Sequence, residues 1–329
     1  VETREEGVLQ VRTKPLSEYR HLFEEPEGFL MMMGEEVSTT WGERGDGGRK
    51  HWINVFNTPA AIGPQHHPES SHGAMATTFR VAREIGETSG SEVLVYLNHP
   101  NFAWNATAED IAGASDVRHM EIYTALNSCH TMGDGTHSAV ERIWDVALTL
   151  RLKAGDPLIY GLATDDCHAY TTHWRLGDTA LPGRAWICVQ AEWLTPEHIL
   201  GAVNRGDYYC SSGVDLDEIQ ARSDGMALKI QGADGVRYTT QFIGSRRGVD
   251  MGSKPIRDEV GEEVRTTKIY SEEIGEVLHE TSGTEPGYTF TRDELYVRAV
   301  VTSDVLHPNP TAPNDYEKAW TQPVVPTQA

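Results

Sequence analysis

Apolar runs of strand length that end in metal-binding side chains constrain this chain more than any other feature of its sequence. In Leu158-Ile159-Tyr160-Gly161-Leu162-Ala163-Thr164-Asp165-Asp166-Cys167-His168 a strand-like run closes on two acids and a histidine. Alternate residues of a strand share a face, so Asp166 and His168 are expected to project together from its carboxyl end. Glu92-Val93-Leu94-Val95-Tyr96-Leu97-Asn98-His99-Pro100 ends in a histidine, and the run over 29–38 closes on Glu35 and Glu36. Each reads as a buried parallel strand, continuous in apolar character because both faces are covered. In an α/β barrel the reactive groups sit at the carboxyl ends of several strands. Three strand ends carrying Glu, His and Asp-x-His therefore predict a divalent-metal site.

The pattern around these runs organises the chain. Strands are expected at 29–38, 51–57, 92–98, 119–124, 157–165, 185–191 and 207–211, with helices between them. Ala74 to Ile85 is amphipathic and stops near Gly86. Ser138-Ala139-Val140-Glu141 reads as a capping box opening a helix with Val140, Ile143, Trp144, Ala147 and Leu148 on one face. Thr195-Pro196-Glu197 supplies an N-cap and a proline at the first helical position, and Gly206 ends that helix. Such alternation predicts a parallel sheet or barrel over residues 1–213. From residue 214 to 329 short strands at 226–231, 238–243 and 295–301 lie between Gly and Asp turns, which predicts a β-sandwich domain. The Pro-rich segment from Pro308 to Ala329 is expected to run irregularly over it.

Charge and length narrow the partners. A net charge of −21 disfavours the nucleic-acid backbone, which basic patches usually meet. A small anionic substrate stays compatible if bound cations reverse the local field. There is no run of about 18 apolar residues, so no membrane span is expected. The chain opens on Val1-Glu2-Thr3-Arg4, neither an initiator Met nor a signal peptide, which suggests a missing start and leaves a soluble protein, cytoplasmic or exported. Cys129, Cys167, Cys188 and Cys210 are widely spaced and read as ordinary small buried residues without a disulfide framework.

With strand-end donors in this order, the chain resembles the PHP (polymerase and histidinol phosphatase) family of metal-dependent phosphoesterases. The resemblance rests on Gly34-Glu35-Glu36-Val37-Ser38, His51-Trp52-Ile53-Asn54, Asn98-His99-Pro100, Glu121-Ile122-Tyr123, Asp166-Cys167-His168, Gly183-Arg184-Ala185-Trp186 and the segment from Ile199 to Tyr209. It covers about residues 16–213, and Ala319-Trp320-Thr321-Gln322-Pro323 is similar to the end of a trailing β-domain in some members. The resemblance implies a distorted (βα)7 barrel with two or three divalent ions (zinc, manganese or iron) at its mouth. It implies Glu36 as bridging carboxylate, His51 and His99 as imidazole ligands, and Asp166 with His168 as the closing pair. The family's opening His-x-His and later Thr-Asp-His are absent, so the barrel's first strands are expected to be missing and half of the histidine ligands have no counterpart.

Together these readings predict a hydrolase that cleaves a phosphate ester of a small organic substrate with metal-activated water. Glu36, His99, Asp166 and His168 are its catalytic residues, and Arg184 and His173 are candidates for the substrate phosphate. No Ser-His-Asp or Cys-His nucleophile pattern stands out. Glu121 opens its strand and is expected to support the site from behind. The cluster His66-His67-Pro68-Glu69-Ser70-Ser71-His72 reads as a solvated loop or as ligands, and the Gly42 to Gly48 segment as a flexible turn, since it lacks the Lys-Ser/Thr of a P-loop. Two other readings stay open: an amidohydrolase-like metal hydrolase of an amide, lactone or ester, and a non-catalytic remnant whose β-sandwich binds glycan or protein.

Overall fold

Every strand expected before residue 214 forms, but the strands do not close on one another as a barrel. The structure, a computed structural model, describes residues 2–5, 8–11, 13–42, 49–67, 69–168 and 181–327. It opens with a hairpin of β1 (Glu2–Glu5) and β2 (Val8–Val11), followed by a helical turn α1 (Leu16–Tyr19). Next come β3 (Gly34–Trp41), β4 (Arg49–Phe56), β5 (Gln65–His67), α2 (Ser71–Ser89), β6 (Leu94–Leu97), α3 (Ala108–Gly113), β7 (His119–Thr124), α4 (Val140–Ala154) and β8 (Tyr160–Thr164). These strands make one six-stranded sheet in the order β5-β3-β4-β6-β7-β8.

The expected (βα)7 barrel is overturned by the pairing. β3 and β4 form an antiparallel hairpin, and β4 is antiparallel to β6; only β3–β5, β6–β7 and β7–β8 are parallel. The reason is the connection. A parallel neighbour needs a crossover of about a dozen residues or more, and residues 42–48 are too few. Residues 43–48 of the glycine-rich segment read as a flexible turn lie outside the described residues. Alternation across β4 is clean: His51, Ile53 and Val55 are buried towards α2, while Trp52, Asn54 and Phe56 face the other side.

The helices follow their caps. Ser70 Oγ accepts from Gly73 N at α2, whose buried residues Ala74, Met75, Thr78, Phe79 and Ala82 keep to one face, and Gly90 ends it at φ 69°. At α4 the expected capping box does not form: Ala139 is the N-cap and no side chain caps it, although Val140, Ile143, Trp144, Ala147 and Leu148 are buried as expected. The reciprocal capping box is instead at α3, between Thr107 and Asp110.

The rest of the chain is β-rich. It comprises β9 (Trp186–Val189), α5 (Pro196–Arg205), β10 (Tyr208–Ser211), β11 (Leu216–Arg222), β12 (Gly225–Ile230), β13 (Tyr238–Arg246), β14 (Glu276–Ser282), β15 (Gly287–Thr289), β16 (Glu294–Leu306) and β17 (Tyr316–Thr321). α5 has the expected Thr195 cap and Gly206 end. A second six-stranded sheet runs β14-β13-β16-β17-β10-β9, all antiparallel, and a three-stranded sheet runs β11-β12-β15. The two enclose Leu216, Met226, Leu228, Phe242, Val297, Val301 and Ala319, a sandwich-like core. The boundary drawn after residue 213 runs through the larger of these sheets, because β9 and β10 precede it. The segment expected to be an irregular tail holds β17, whose Trp320 is fully buried.

Several ties hold the halves together, and two are buried at the junction. Gly161 N on the edge of β8 donates to Gln322 Oε1, and Gln322 Nε2 donates back to Gly161 O, both at 2.9 Å, so one side-chain amide pairs with the strand as a backbone residue would. Deeper in, Arg298 on β16 donates from Nε and Nη2 to the two oxygens of Asp145 on α4 at 2.8 and 2.7 Å, and Tyr296 Oη donates to Asp145 Oδ1 at 2.7 Å. The main core is continuous across this junction, from Val37 and Ile53 to Tyr296 and Trp320.

Candidate metal centre

The carboxyl ends of β6, β7 and β8 lie side by side, and each delivers a donor a few residues beyond its last paired position. His99 follows β6, Cys129 lies in the turn after β7, and Asp166 follows β8. One potential ligand atom from each of these three lies within 4.8 Å of the others, and Cys129 Sγ donates to Asp166 Oδ2 at 3.6 Å. His99 and Cys129 are buried and Asp166 is half-buried. Asp166 sits at φ +46°, a left-handed conformation that Asp tolerates better than most residues and that turns the chain sharply at the strand end. Its neighbour Asp165 is spent elsewhere, accepting Gly183 N at 2.6 Å.

This group lies beside an open cleft of about 530 Å³ whose lining includes Glu36, Tyr96, Asn98, Glu121, Asp166 and His168. The cross-strand register aligns it: Glu36 pairs with Asn54 and Asn54 with Tyr96. Asn98 Nδ2 donates to Glu36 Oε1 at 2.7 Å, and Asn54 Nδ2 donates to the Tyr96 hydroxyl at 2.8 Å. Burial, then the carboxylates of Glu121, Glu36 and Asp166, raise the Tyr96 phenol far above its ordinary pKa, so it keeps its proton. Glu121 is also pushed up, chiefly by burial and against the pull of His99; its Oε2 accepts His99 N at 2.8 Å and Thr124 Oγ1 at 2.7 Å. It fixes the loop that carries His99 and supports the site from behind. The His99 ring itself is held against Trp52 and Phe102, with centroids 5.5 and 5.1 Å away.

The donor set fits a divalent cation. His99 Nδ1 and Asn98 Oδ1 are buried with no hydrogen-bond partner, an arrangement that is costly unless a further group completes it. Imidazole, thiol and carboxylate together suit a borderline or soft ion such as zinc or iron better than magnesium. No arginine or lysine is among the described residues that line the cleft.

The expected site residues fare differently. His99 and Asp166 come together, and Glu36 and His168 line the same cleft. His168 is on the rim: its side chain is 69% exposed and its Nδ1 bonds to Asp166 O at 2.8 Å, so the strand ends before Asp-x-His can point both side chains inward. His51 is not brought to the cleft. It lies on the other face of the sheet, 2% exposed, sharing a 2.9 Å hydrogen bond between Nε2 and Ser71 Oγ. Arg184 is buried away from the cleft lining and ties loops, donating from Nε to Asn309 O at 2.8 Å and from Nη1 to Ala125 O. His173 lies outside the described residues. Cys129 was read as an ordinary core residue; its place just past the carboxyl end of an apolar run, as for His99 and Asp166, was the signal that marked it.

A comparison of the chain with protein-family models, with curated proteins and with solved structures finds no match in any of the three.

Proposed function

We propose that this cleft is the centre of a metal-dependent hydrolase that releases phosphate from a small organic phosphate ester, with His99, Cys129 and Asp166 holding the ion. The observation that carries the reading is the convergence of their ligand atoms within 4.8 Å at three adjacent strand ends, beside an open cleft. The order of donors along the chain, which resembles that of the PHP family, points to the same chemistry. When bound, a divalent ion supplies charge for the phosphoryl oxygens and makes a water acidic enough to attack near neutral pH.

The chain's own groups divide the remaining work. Glu36, oriented by Asn98, accepts a proton from the attacking water. Tyr96 keeps its hydroxyl proton and offers it as a hydrogen bond to a substrate oxygen. Exposed His168 is placed to protonate the leaving alkoxide at the rim. Glu121, whose carboxyl burial pushes above its ordinary pKa, acts by positioning His99. Because the lining is acidic and lacks a described cation, a phosphate ester enters only when the ion's charge is present.

The test is metal content and phosphate release on the full chain. Wild type loaded with zinc, iron or manganese should hydrolyse p-nitrophenyl phosphate, and His99→Ala should lose both metal and turnover. Cys129→Ser should weaken zinc by more than the 10–100-fold typical of losing an outer partner. Fully loaded protein that releases no phosphate sinks the phosphoesterase reading, and cleavage of an ester or amide substrate instead would turn it to the amidohydrolase-like one.

A further inference from the structure

The other face of β3 and β4 carries a polar group that the metal centre does not use. Trp41 closes β3, where it pairs with Arg49 across the hairpin and with His67 on β5. The guanidinium carbons of Arg49 and Arg265 lie 5.3 and 4.5 Å from the Trp41 ring centroid, and the His51 ring stacks at 6.3 Å with 13° between planes. Arg265 spends Nη2 on Asp110, on Asn105 O at 2.9 Å and on Ser71 Oγ at 3.4 Å. Its Nε stays buried without a partner, as do Trp41 Nε1 and His67 Nδ1. Among the described residues the Arg49 side chain makes no hydrogen bond or ion pair, only its contact with the indole.

Two cations share a single acidic partner here. The chain has 49 acidic and 28 basic residues, yet two guanidinium groups converge here with Asp110 as the acid that opposes them. Burial first, then the charge of Arg265, pulls the Arg49 pKa below its ordinary value. Repulsion between two guanidinium groups and buried N–H donors lacking acceptors have one shared remedy, an anion with several acceptor oxygens.

We propose that Trp41, Arg49 and Arg265 form an oxyanion-binding site for a phosphate group, separate from the metal centre and on the opposite face of the sheet. The Trp41 Nε1–H and Arg265 Nε–H donate to it, and the unpaired fork of Arg49 closes over it from the exposed side. Phosphate matches better than carboxylate because its oxygens point in several directions, as these donors do, and because its charge near −2 answers two arginines. His51, neutral at physiological pH because burial holds its pKa at about 4, buttresses the indole without adding charge. The phosphate can come as the free ion or on an organic ligand.

Calorimetric titration of the full chain with inorganic phosphate and with phenyl phosphate tests this. It is done on a His99→Ala/Asp166→Asn background, which removes phosphate binding at the metal centre, so failure of the phosphoesterase reading leaves the result unaffected. One phosphate per chain is expected, weakened about tenfold or more by Arg49→Gln and by Trp41→Phe, which keeps the ring but deletes the donor. Arg49 is exposed and its side chain makes no hydrogen bond or ion pair among the described residues, so its replacement should not disturb folding. Tighter binding of phenyl phosphate assigns the site to an organic phosphate, and equal or tighter inorganic phosphate assigns it to the free ion. No binding of either probe up to about 10 mM, or binding that both substitutions leave unchanged, overturns the proposal.

Discussion

Two buried histidines here give up their charge on folding. His119, at the start of β7, is buried with Nε2 bonded to Val203 O at 3.1 Å. Burial, reinforced by Arg118 and opposed by the Val203 bond, lowers its pKa to about 4. The folded state therefore keeps the ring neutral where the unfolded chain, near 6.5, takes up a proton. Stability from this group is complete above about pH 6.5 and is lost as pH falls towards 4, by about 3 kcal/mol. His119→Phe should flatten that acid limb in denaturant titrations between pH 6.5 and 4; an unchanged slope would mean another group drives it. His51 contributes a limb of the same sign.

At the scale of elements, the loop after α3 depends on one arginine from α4. Arg151 is fully buried and donates to Ile111 O, Ala112 O, Ser115 O and Val117 O at 2.8 to 3.1 Å, and also to Ala114 O. These are carbonyls that the last turn of a helix and its exit cannot pair internally. Burial pushes the guanidinium pKa down only to about 10, so it stays charged at neutral pH. Arg151→Met should cost about 3 kcal/mol or more, read as a lower denaturant midpoint with an unchanged slope. Lysine should not rescue it, since an ammonium lacks the planar fork. The β3–β4 hairpin shows the same dependence on placement: strand alternation, not residue type, puts Glu36 in the cleft and His51 behind the sheet.

For the whole molecule, shared elements matter more than the linear order of its halves. β10 pairs with β17 on one side and with β9 on the other, and Asp145 on α4 neutralises Arg298 on β16, which is 1% exposed. A chain ending at residue 213 should therefore fail to fold, showing no dispersed amide spectrum; a well-folded fragment would show that the first half is independent. In the full chain, Asp145→Leu alone should destabilise by about 3–5 kcal/mol by stranding Arg298, whereas adding Arg298→Met should recover much of it. Strand positions, the α2, α4 and α5 faces and two of the candidate metal donors could be read from local pattern, because period, caps and turn residues are properties of neighbouring residues. Pairing direction could have been inferred only from the short 42–48 connection. Asn98 and Tyr96 gave little warning and Cys129 only its place past a strand end, because their roles depend on strands far apart in the chain.

The amino-acid order by itself determined where strands begin and end, which helix faces are apolar, and that His99 and Asp166 stand at strand ends. Those follow from backbone geometry repeated every two or 3.6 residues. Tertiary structure alone decided that the sheets stay open, that His51 faces away from the cleft while Cys129 joins His99 and Asp166, and that β17 completes a sheet begun more than a hundred residues earlier. Contacts of that kind are set by which surfaces bury one another, and no local period encodes them.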